Sequence, residues 1–191
     1  MSDSRAFLRA YLRAPSRVGA IAPSSPALAA EMIRCAEVPI GAPVIEIGAG
    51  TGPFTRAITS MCPGSPVLAL EPDADLAQRA AAAAPSARVE VAVAQDLPRL
   101  MADWGHASVD RVVSGLPFAS FPPALQDAIL DAVVDALGPS GRMVTFTYVF
   151  SPWLPKGRRA RAALERRFSS VRASRVVWRN LPPAFVYICD R

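Results

Sequence analysis

The sequence predicts an α/β fold, a doubly wound and mainly parallel seven-stranded sheet, with an N-terminal amphipathic helix in front of it. Two observations support this fold class. Short apolar runs alternate with longer segments of helical character along most of the chain, as in parallel sheets. Residues 179–184 separate the last two strands, and this connection is too short for a helical crossover. We therefore expect those two strands to be antiparallel to each other.

The first four strands are short apolar runs that end at polar or glycine-rich turns, and the fifth is longer. They are predicted at Pro43–Ile47, Val67–Leu70, Val89–Ala94, Val109–Val113 and Arg142–Val149. A basic helix over Arg158–Arg167 and the closing strands Ser174–Trp178 and Phe185–Cys189 complete the chain.

Three helices between these strands carry terminal signals. A proline begins the first, an aspartate caps the alanine-rich second, and Gly138-Pro139 ends the third. Their ranges are Pro53–Met61, Asp73–Ala84 and Pro122–Leu137.

Length and composition exclude several classes of protein. The chain has 191 residues, of which 51% are hydrophobic and 19% charged, so it is long enough for one domain with a substantial core and is not intrinsically disordered. Three cysteines are too few for a disulfide scaffold or a zinc site. Every apolar run falls short of the ~20 residues that a spanning helix needs, and no signal peptide is recognisable. We expect a soluble cytoplasmic protein without a metal.

Charge is unevenly distributed along the chain. Residues 41–150 carry six arginines against eleven acidic residues, whereas residues 151–191 carry ten basic residues against Glu165 and Asp190. An acidic body with basic ends indicates an anionic partner, either nucleic acid or an anionic membrane. The alternative is that an arginine-rich composition simply places arginines on a solvated surface.

Residues 1–17 are predicted to form an amphipathic membrane-binding helix, separate from the domain over residues 18–191. Arginines recur every fourth residue and form one stripe, and apolar side chains occupy the opposite face. Such a helix lies in the interface of anionic membranes or packs on its own domain with arginines in water. The residues assigned to membrane binding are Arg5, Phe7, Leu8, Arg9, Tyr11, Leu12 and Arg13.

A glycine-rich loop follows the first strand and precedes a helix, the arrangement that brings backbone amides close to a ligand. In a dinucleotide fingerprint the third glycine would stand at Pro53, so that motif is absent. Glu71 ends the second strand, where its carboxylate can accept hydrogen bonds from ribose hydroxyls. Asp96 follows the third strand, where it can bind an adenine amino group or cap the next helix. The loop residues assigned to the cofactor are Glu46, Gly48, Ala49, Gly50, Thr51 and Gly52.

On these features the chain resembles the class I S-adenosylmethionine-dependent methyltransferases, which have a Rossmann-like fold, along nearly its whole length. The resemblance implies S-adenosylmethionine as cofactor and S-adenosylhomocysteine as product. In such enzymes the segment that matches Pro23-Ser-Ser25 closes over the methionine part of the cofactor, which implies a contact from Ser24.

Four further phrases resemble the bacterial phospholipid N-methyltransferases, which methylate phosphatidylethanolamine stepwise towards phosphatidylcholine. They are residues 19–25, 114–118, 146–148 and 180–184. The resemblance implies a peripheral enzyme on the inner face of the cell membrane, with an anionic membrane surface and a phospholipid as partners. It implies catalytic roles for Tyr148, Ser114 and Asn180. The residues that it assigns to the substrate are Gly115, Leu116, Pro117 and Phe118.

An rRNA or DNA adenine N6-methyltransferase is the alternative, because the related rRNA adenine dimethyltransferases share this motif. Their fourth strand ends in an asparagine that holds the target adenine, and this sequence has Gly115 there. That departure makes nucleic acid a less favoured partner. A non-catalytic lipid-binding module is a further alternative, but it would not require both the glycine loop and Glu71. His106, the single histidine, is expected at the opposite edge of the sheet in a structural role. The sequence does not predict the oligomeric state.

Overall fold

A single seven-stranded sheet with helices on both faces organises the computed structural model, which describes residues 24–191. The strand order is β3-β2-β1-β4-β5-β7-β6. The strands are β1 (Val44–Ile47), β2 (Val67–Leu70), β3 (Arg88–Glu90), β4 (Val109–Ser114), β5 (Leu137–Tyr148), β6 (Ser170–Ala173) and β7 (Ala184–Asp190). The first five are parallel, and β7 is antiparallel to both β5 and β6. The predicted fold class is confirmed, and the predicted helix over residues 1–17 lies outside the described residues.

Within residues 24–191, six α-helices flank the sheet. They are α1 (Pro26–Ala36), α2 (Pro53–Met61), α3 (Ala74–Ala83), α4 (Leu97–Trp104), α5 (Pro123–Ala136) and α6 (Pro155–Glu165). The Ser25 hydroxyl accepts a hydrogen bond from the Leu28 amide and caps α1, and the Asp73 carboxylate caps α3. None of the described helices is long and apolar enough to cross a membrane.

Two apolar layers fill the faces of the sheet. One buries Met143, Phe185 and Tyr187 against α4, α5 and α6. The other buries Val144 and Val186 against α1 and α2. Alternate residues of β5 and β7 therefore point to opposite layers, so both layers reach the end of β5, where the functional site lies.

The third strand is shorter than predicted. Extended pairing stops at Glu90, and the chain turns into a 3-10 helix over Ala94–Asp96. The Asp96 carboxylate accepts a hydrogen bond from the Val93 amide at 3.1 Å and fixes this turn. A local side-chain cap therefore takes the place of further strand pairing.

The sixth strand lies four residues earlier than the predicted Ser174–Trp178. The Ser174 hydroxyl accepts the Val186 amide at 3.0 Å, which ends the regular ladder, and only an isolated bridge from Val177 to Ala184 follows. The prediction that the last two strands are antiparallel to each other is confirmed.

Gly138-Pro139 does not form the predicted turn. Helix α5 ends at Ala136, and Leu137 is already extended, with φ −78° and ψ 138°. The chain passes directly into β5, because Leu137 is buried in the core and pairs with Val109 of β4. A register shift before Arg142 absorbs the glycine and proline.

Candidate functional site

The glycine loop lies at the carboxyl edge of the sheet, between β1 and α2. A Cβ atom on Gly48 would lie 2.5 Å from Leu116 Cδ2, and one on Gly52 would lie 2.9 Å from Ala80 Cα. A Cβ atom on Gly50 would meet nothing within 4 Å. Gly48 and Gly52 thus permit close packing of the loop, while Gly50 leaves open space beside it.

Glu71 connects this loop to the end of β2. Its Oε2 accepts the Gly50 amide at 2.8 Å and its Oε1 accepts the Asp73 amide at 3.0 Å. Burial raises the pKa of Glu71, and the two amide hydrogen bonds oppose that shift. Each oxygen keeps a lone pair for a hydroxyl donor. The residue therefore holds the loop and can accept hydrogen bonds from a bound ligand.

A cavity of about 720 Å³ opens beside the loop. Its walls come from the segments after β1, β4 and β5 and from α6. Most of the residues predicted for cofactor and substrate line it together. They are Ser24, Gly48, Ala49, Gly50, Thr51, Glu71, Gly115, Leu116, Pro117, Phe118 and Tyr148.

Five predicted site residues do not line this cavity. Gly52 is the N-cap of α2 and packs on α3, and the Asp96 carboxylate caps the turn after β3. The Ser114 hydroxyl is buried and accepts the Leu116 amide at 3.3 Å. Asn180 accepts the Ser25 amide at 3.0 Å and donates to the Pro182 carbonyl at 2.8 Å. Both side chains thus hold backbone segments beside the cavity, rather than lining it as their predicted catalytic roles would require.

Glu46 is the fifth of these residues, and it is wholly buried on β1. Within residues 24–191, neither carboxylate oxygen makes a hydrogen bond of ordinary length and angle, but the hydroxyl and amide of Thr55 lie close enough to favour the charged form. Burial raises the pKa of Glu46 to about 7; Thr55 opposes the shift and the Glu71 carboxylate adds to it. A carboxyl without a well-formed hydrogen bond is therefore enclosed directly behind the glycine loop.

Tyr148 stands at the end of β5, where its ring extends an aromatic row. Its centroid lies 5.9 Å from that of Phe146, which lies 5.8 Å from that of Phe54. Burial raises the pKa of the Tyr148 phenol. The hydroxyl therefore stays protonated at neutral pH and can donate or accept a hydrogen bond in the cavity.

Sequence reasoning missed the far wall of the cavity. Thr145 and Thr147 of β5 face it, and so does Tyr187 of β7, which pairs with Thr145. Helix α6 contributes small and apolar residues at helical spacing, which are Gly157, Ala160 and Leu164. The helical spacing of these residues is visible in the sequence, but only the charges of this helix entered the prediction.

His106 lies far from this cavity, as expected. It follows α4 at the opposite edge of the sheet, where its ring packs edge-on to Trp104 at 4.5 Å. No cluster of histidine, cysteine and acidic residues that could hold a metal ion occurs within residues 24–191.

The cavity residues fit the cofactor that the resemblance implies. Glu71 offers buried carboxylate oxygens for ribose hydroxyls, and the open side of Gly50 leaves room for the ligand against the loop. The α2 N-terminus has no side-chain cap, so its amides remain available for a carboxylate. Glu71, the loop residues and Ser24 would hold S-adenosylmethionine, which supplies an electrophilic methyl group when bound.

Known proteins resemble this chain in sequence and in fold. A family model described as a methyltransferase domain matches residues 44–141. An ornithine lipid N-methyltransferase from Singulisphaera acidiphila is 35% identical over 194 residues, which cover 99% of this chain and 96% of that protein.

Solved structures share the fold at low sequence identity. TrmN from Thermus thermophilus has a TM-score of 0.67 and 23% identity, with 94% of this chain matched to 53% of that one. This chain therefore spans about half the length of TrmN. A TehB-like methyltransferase from Corynebacterium glutamicum has a TM-score of 0.62 and 19% identity, with coverage of 98% and 97%. Together with the family model, these matches show that the chain belongs to the class I S-adenosylmethionine-dependent methyltransferases.

Proposed function

We propose that this enzyme methylates the primary amine of a membrane lipid, with phosphatidylethanolamine as the substrate on the route towards phosphatidylcholine. The observation that carries the proposal is the largely apolar lining of the cavity beyond the glycine loop. The apolar residues that line it from the segments after β4 and β5 and from α6 include Phe118, Phe150, Leu154, Ala160 and Leu164. Such a lining suits the lipid portion of a substrate whose amine would lie at the cofactor end.

The relative from Singulisphaera acidiphila supports a lipid substrate, because its name states that it N-methylates ornithine lipid. Phosphatidylethanolamine and ornithine lipid each carry a primary amine and an anionic group, a phosphate in one and a carboxylate in the other. Lys156 lines the same cavity and can pair with either anion. Ornithine lipid is therefore the second candidate substrate.

Methyl transfer requires the amine in its neutral form. A neutral amine nitrogen would take up the methyl group that bound S-adenosylmethionine would supply, and the proton of the ammonium form must leave before that. Tyr148 orients the amine by accepting a hydrogen bond on its hydroxyl oxygen, and the Phe118 ring faces the charge that develops. The apolar walls exclude water from the reacting atoms.

The proton leaves to solvent rather than to a side chain of the cavity. Burial raises the pKa of both Tyr148 and Tyr187, so neither phenol is ionised at neutral pH, and two backbone amides hold Glu71. The substrate amine is therefore deprotonated before or during entry, and alignment supplies the rate enhancement.

Adenine in nucleic acid fits the site less well. A Cβ atom on Gly115 would lie 2.4 Å from the Gly48 carbonyl oxygen, so an asparagine cannot stand there without a shift of the backbone. The amide that grips adenine in the rRNA adenine dimethyltransferases therefore has no equivalent at this position.

Labelled S-adenosylmethionine tests the proposal. The enzyme is offered vesicles with phosphatidylethanolamine, vesicles with ornithine lipid, rRNA, or vesicles with neither amine lipid, and the products are separated and identified by mass. We expect label in phosphatidylethanolamine. Label only in ornithine lipid would change the substrate but keep the class, and label only in rRNA would refute the proposal. Tyr148→Phe serves as a variant with reduced transfer, and Ile40→Asp, remote from the site, as a matched control.

The peripheral membrane location is part of this proposal. A lipid amine lies at the bilayer surface, so the enzyme must approach that surface. The cationic stripe of Arg5, Arg9 and Arg13 would attract anionic lipids. Removal of residues 1–17 is expected to weaken vesicle binding, more strongly at low salt.

A further inference from the structure

Five large apolar side chains are exposed in two neighbouring segments of the chain, and we name them the apolar rim. The first segment follows β5 and the second precedes β7. The rim residues and their exposed fractions are Phe150 63%, Trp153 69%, Leu154 57%, Trp178 73% and Leu181 83%. Exposure of this much aromatic and aliphatic surface in one region is a mark of an interaction site.

The sheet brings both segments to the mouth of the cavity. Tyr148 of β5 pairs with Ala184 of β7, and the Val149 amide donates to the Pro183 carbonyl at 3.0 Å. The isolated bridge from Val177 to Ala184 holds the Trp178 segment at the same edge. Two rim residues, Phe150 and Leu154, also line the cavity. The apolar rim therefore borders the opening through which a substrate would enter.

Cations without partners lie among these side chains. Within residues 24–191, no ion pair is formed by the exposed residues Lys156, Arg158, Arg159 and Arg179. Other arginines of α6 and β6, and those just after α6, are paired: Arg161 with Glu165, Arg166 and Arg167 with Asp127, and Arg172 with Asp190. Arg56 and Arg79, on α2 and α3, are exposed and also form no ion pair within the described residues. Four free cations nevertheless lie in or next to the two segments of the apolar rim.

We propose that the apolar rim and its four free cations are a docking surface for a bilayer that contains anionic lipid, with the cavity mouth turned towards the membrane. Tryptophan side chains favour the membrane interface, and basic residues beside them attract anionic headgroups. This inference rests on the proposed function, because a lipid substrate would then enter the cavity directly from the bilayer. It adds a second contact surface to the one expected from residues 1–17.

Charge favours this occupant over two others. In a symmetric dimer through the rim, the same free cations would face one another across the interface. Residues 1–23 carry Arg5, Arg9, Arg13 and Arg17 against Asp3 alone, so they too would repel these cations. An anionic lipid surface is complementary to both the charge and the apolar area.

Tryptophan fluorescence tests the orientation, because the chain has three tryptophans and Trp104 lies at the opposite edge of the sheet. Three variants of the full chain each keep one tryptophan and replace the other two with phenylalanine. Vesicles with anionic lipid and brominated acyl chains are added to each. We expect the emission of Trp153 and Trp178 to be quenched and that of Trp104 to remain. Equal quenching at all three positions would overturn the proposal. It would also be overturned if protein that sediments with vesicles showed no quenching at Trp153 and Trp178.

Partitioning measurements test the contribution of each feature. Leu181→Asp and the triple change of Arg158, Arg159 and Arg179 to Gln are each expected to reduce binding to anionic vesicles by about tenfold or more. Ile40→Asp is the matched control, since Ile40 is fully exposed at the opposite edge and should leave binding unchanged. A loss in Ile40→Asp equal to that in Leu181→Asp would contradict the assignment. Size-exclusion chromatography over a range of concentrations tests for a dimer. A dimer that Leu181→Asp dissociates would also overturn the proposed docking surface.

A short-chain amine lipid below its micelle concentration separates this proposal from the proposed function. If the wild-type protein methylates neither this lipid nor vesicle lipid but its rim tryptophans are quenched, the docking surface stands and the lipid reaction fails. If the short-chain lipid is methylated and Leu181→Asp binds vesicles like the wild type, the docking surface is refuted and the reaction stands.

Discussion

Replacing Glu46 with glutamine should stabilise the protein in a pH-dependent way. Burial raises the pKa of this carboxyl from its ordinary 4.5 to about 7 in the folded state. A carboxyl with a raised pKa favours folding below pH 4.5, and that contribution is lost as the pH rises to 7 and above. The difference between the two pKa values corresponds to about 3 kcal/mol. Because glutamine does not titrate, the advantage of Glu46→Gln over the wild type should grow by about 3 kcal/mol between pH 4.5 and pH 8.

Urea unfolding of both proteins without ligand, at pH 5, 6, 7 and 8, measures this difference directly. In thermal unfolding, the same increase in the stability difference corresponds to a difference in melting temperature of about 6–12 °C at this chain length. Val44→Ala, a neutral truncation on the same strand, is the control and should change stability equally at every pH. Two results would refute the reasoning. A difference in unfolding free energy between Glu46→Gln and the wild type that does not vary with pH would show that the pKa of Glu46 is not raised. A loss of stability in Glu46→Gln at pH 8 would show that the carboxylate is ionised and paired in the folded protein.

Three further substitutions test the cavity. Glu71→Gln should weaken S-adenosylhomocysteine binding by roughly tenfold to a hundredfold in calorimetry, because it removes a charged acceptor that also holds the Gly50 amide. Tyr148→Phe keeps the ring packed on Phe146 and should lower kcat by about tenfold without changing the affinity for S-adenosylhomocysteine. A kcat equal to that of the wild type would exclude a role for the hydroxyl. Because burial raises the pKa of Tyr148, the wild-type rate should rise with pH towards the pKa of the substrate amine, about 10, without an earlier decline. Gly115→Asn should lower the melting temperature and abolish cofactor binding through its clash with the Gly48 carbonyl, and a gain of rRNA methylation would contradict this steric argument.

The elements that sequence predicted well are those determined by local signals. Helix α2 and strand β2 have the predicted bounds, because a proline, a glycine loop and a short apolar run mark their ends. The third and sixth strands were misplaced where a side chain ended the pairing, Asp96 in one case and Ser174 in the other. Competition between side-chain and backbone hydrogen bonds depends on the folded geometry, which a propensity argument does not contain.

In the candidate site, too, the parts formed by consecutive residues were predicted and the parts formed by packing were not. The glycine loop, Glu71 and the segment from Gly115 to Phe118 could be read from a motif, because consecutive residues form each part. The opposite wall comes from α6 and β7, which are distant in sequence, and only packing brings them to the end of β5. Ser114 and Asn180 are polar residues in motif positions, yet their hydrogen bonds hold backbone groups.

The charge segregation of the sequence has a spatial counterpart in the cavity. The acidic stretch of residues 41–150 contributes Glu71, together with Glu46 behind the loop, at the end that suits a cationic sulfonium. The basic stretch beyond residue 150 contributes Lys156 to the wall and Arg158 and Arg159 to the surface near the mouth. Under the proposed function, a cationic cofactor would thus lie near the acids and an anionic headgroup near the cations. Reversing the charge at the mouth with Lys156→Glu should therefore raise KM for an anionic amine lipid and leave S-adenosylhomocysteine affinity unchanged. An equal loss of both affinities would show that the two ends of the cavity do not act separately.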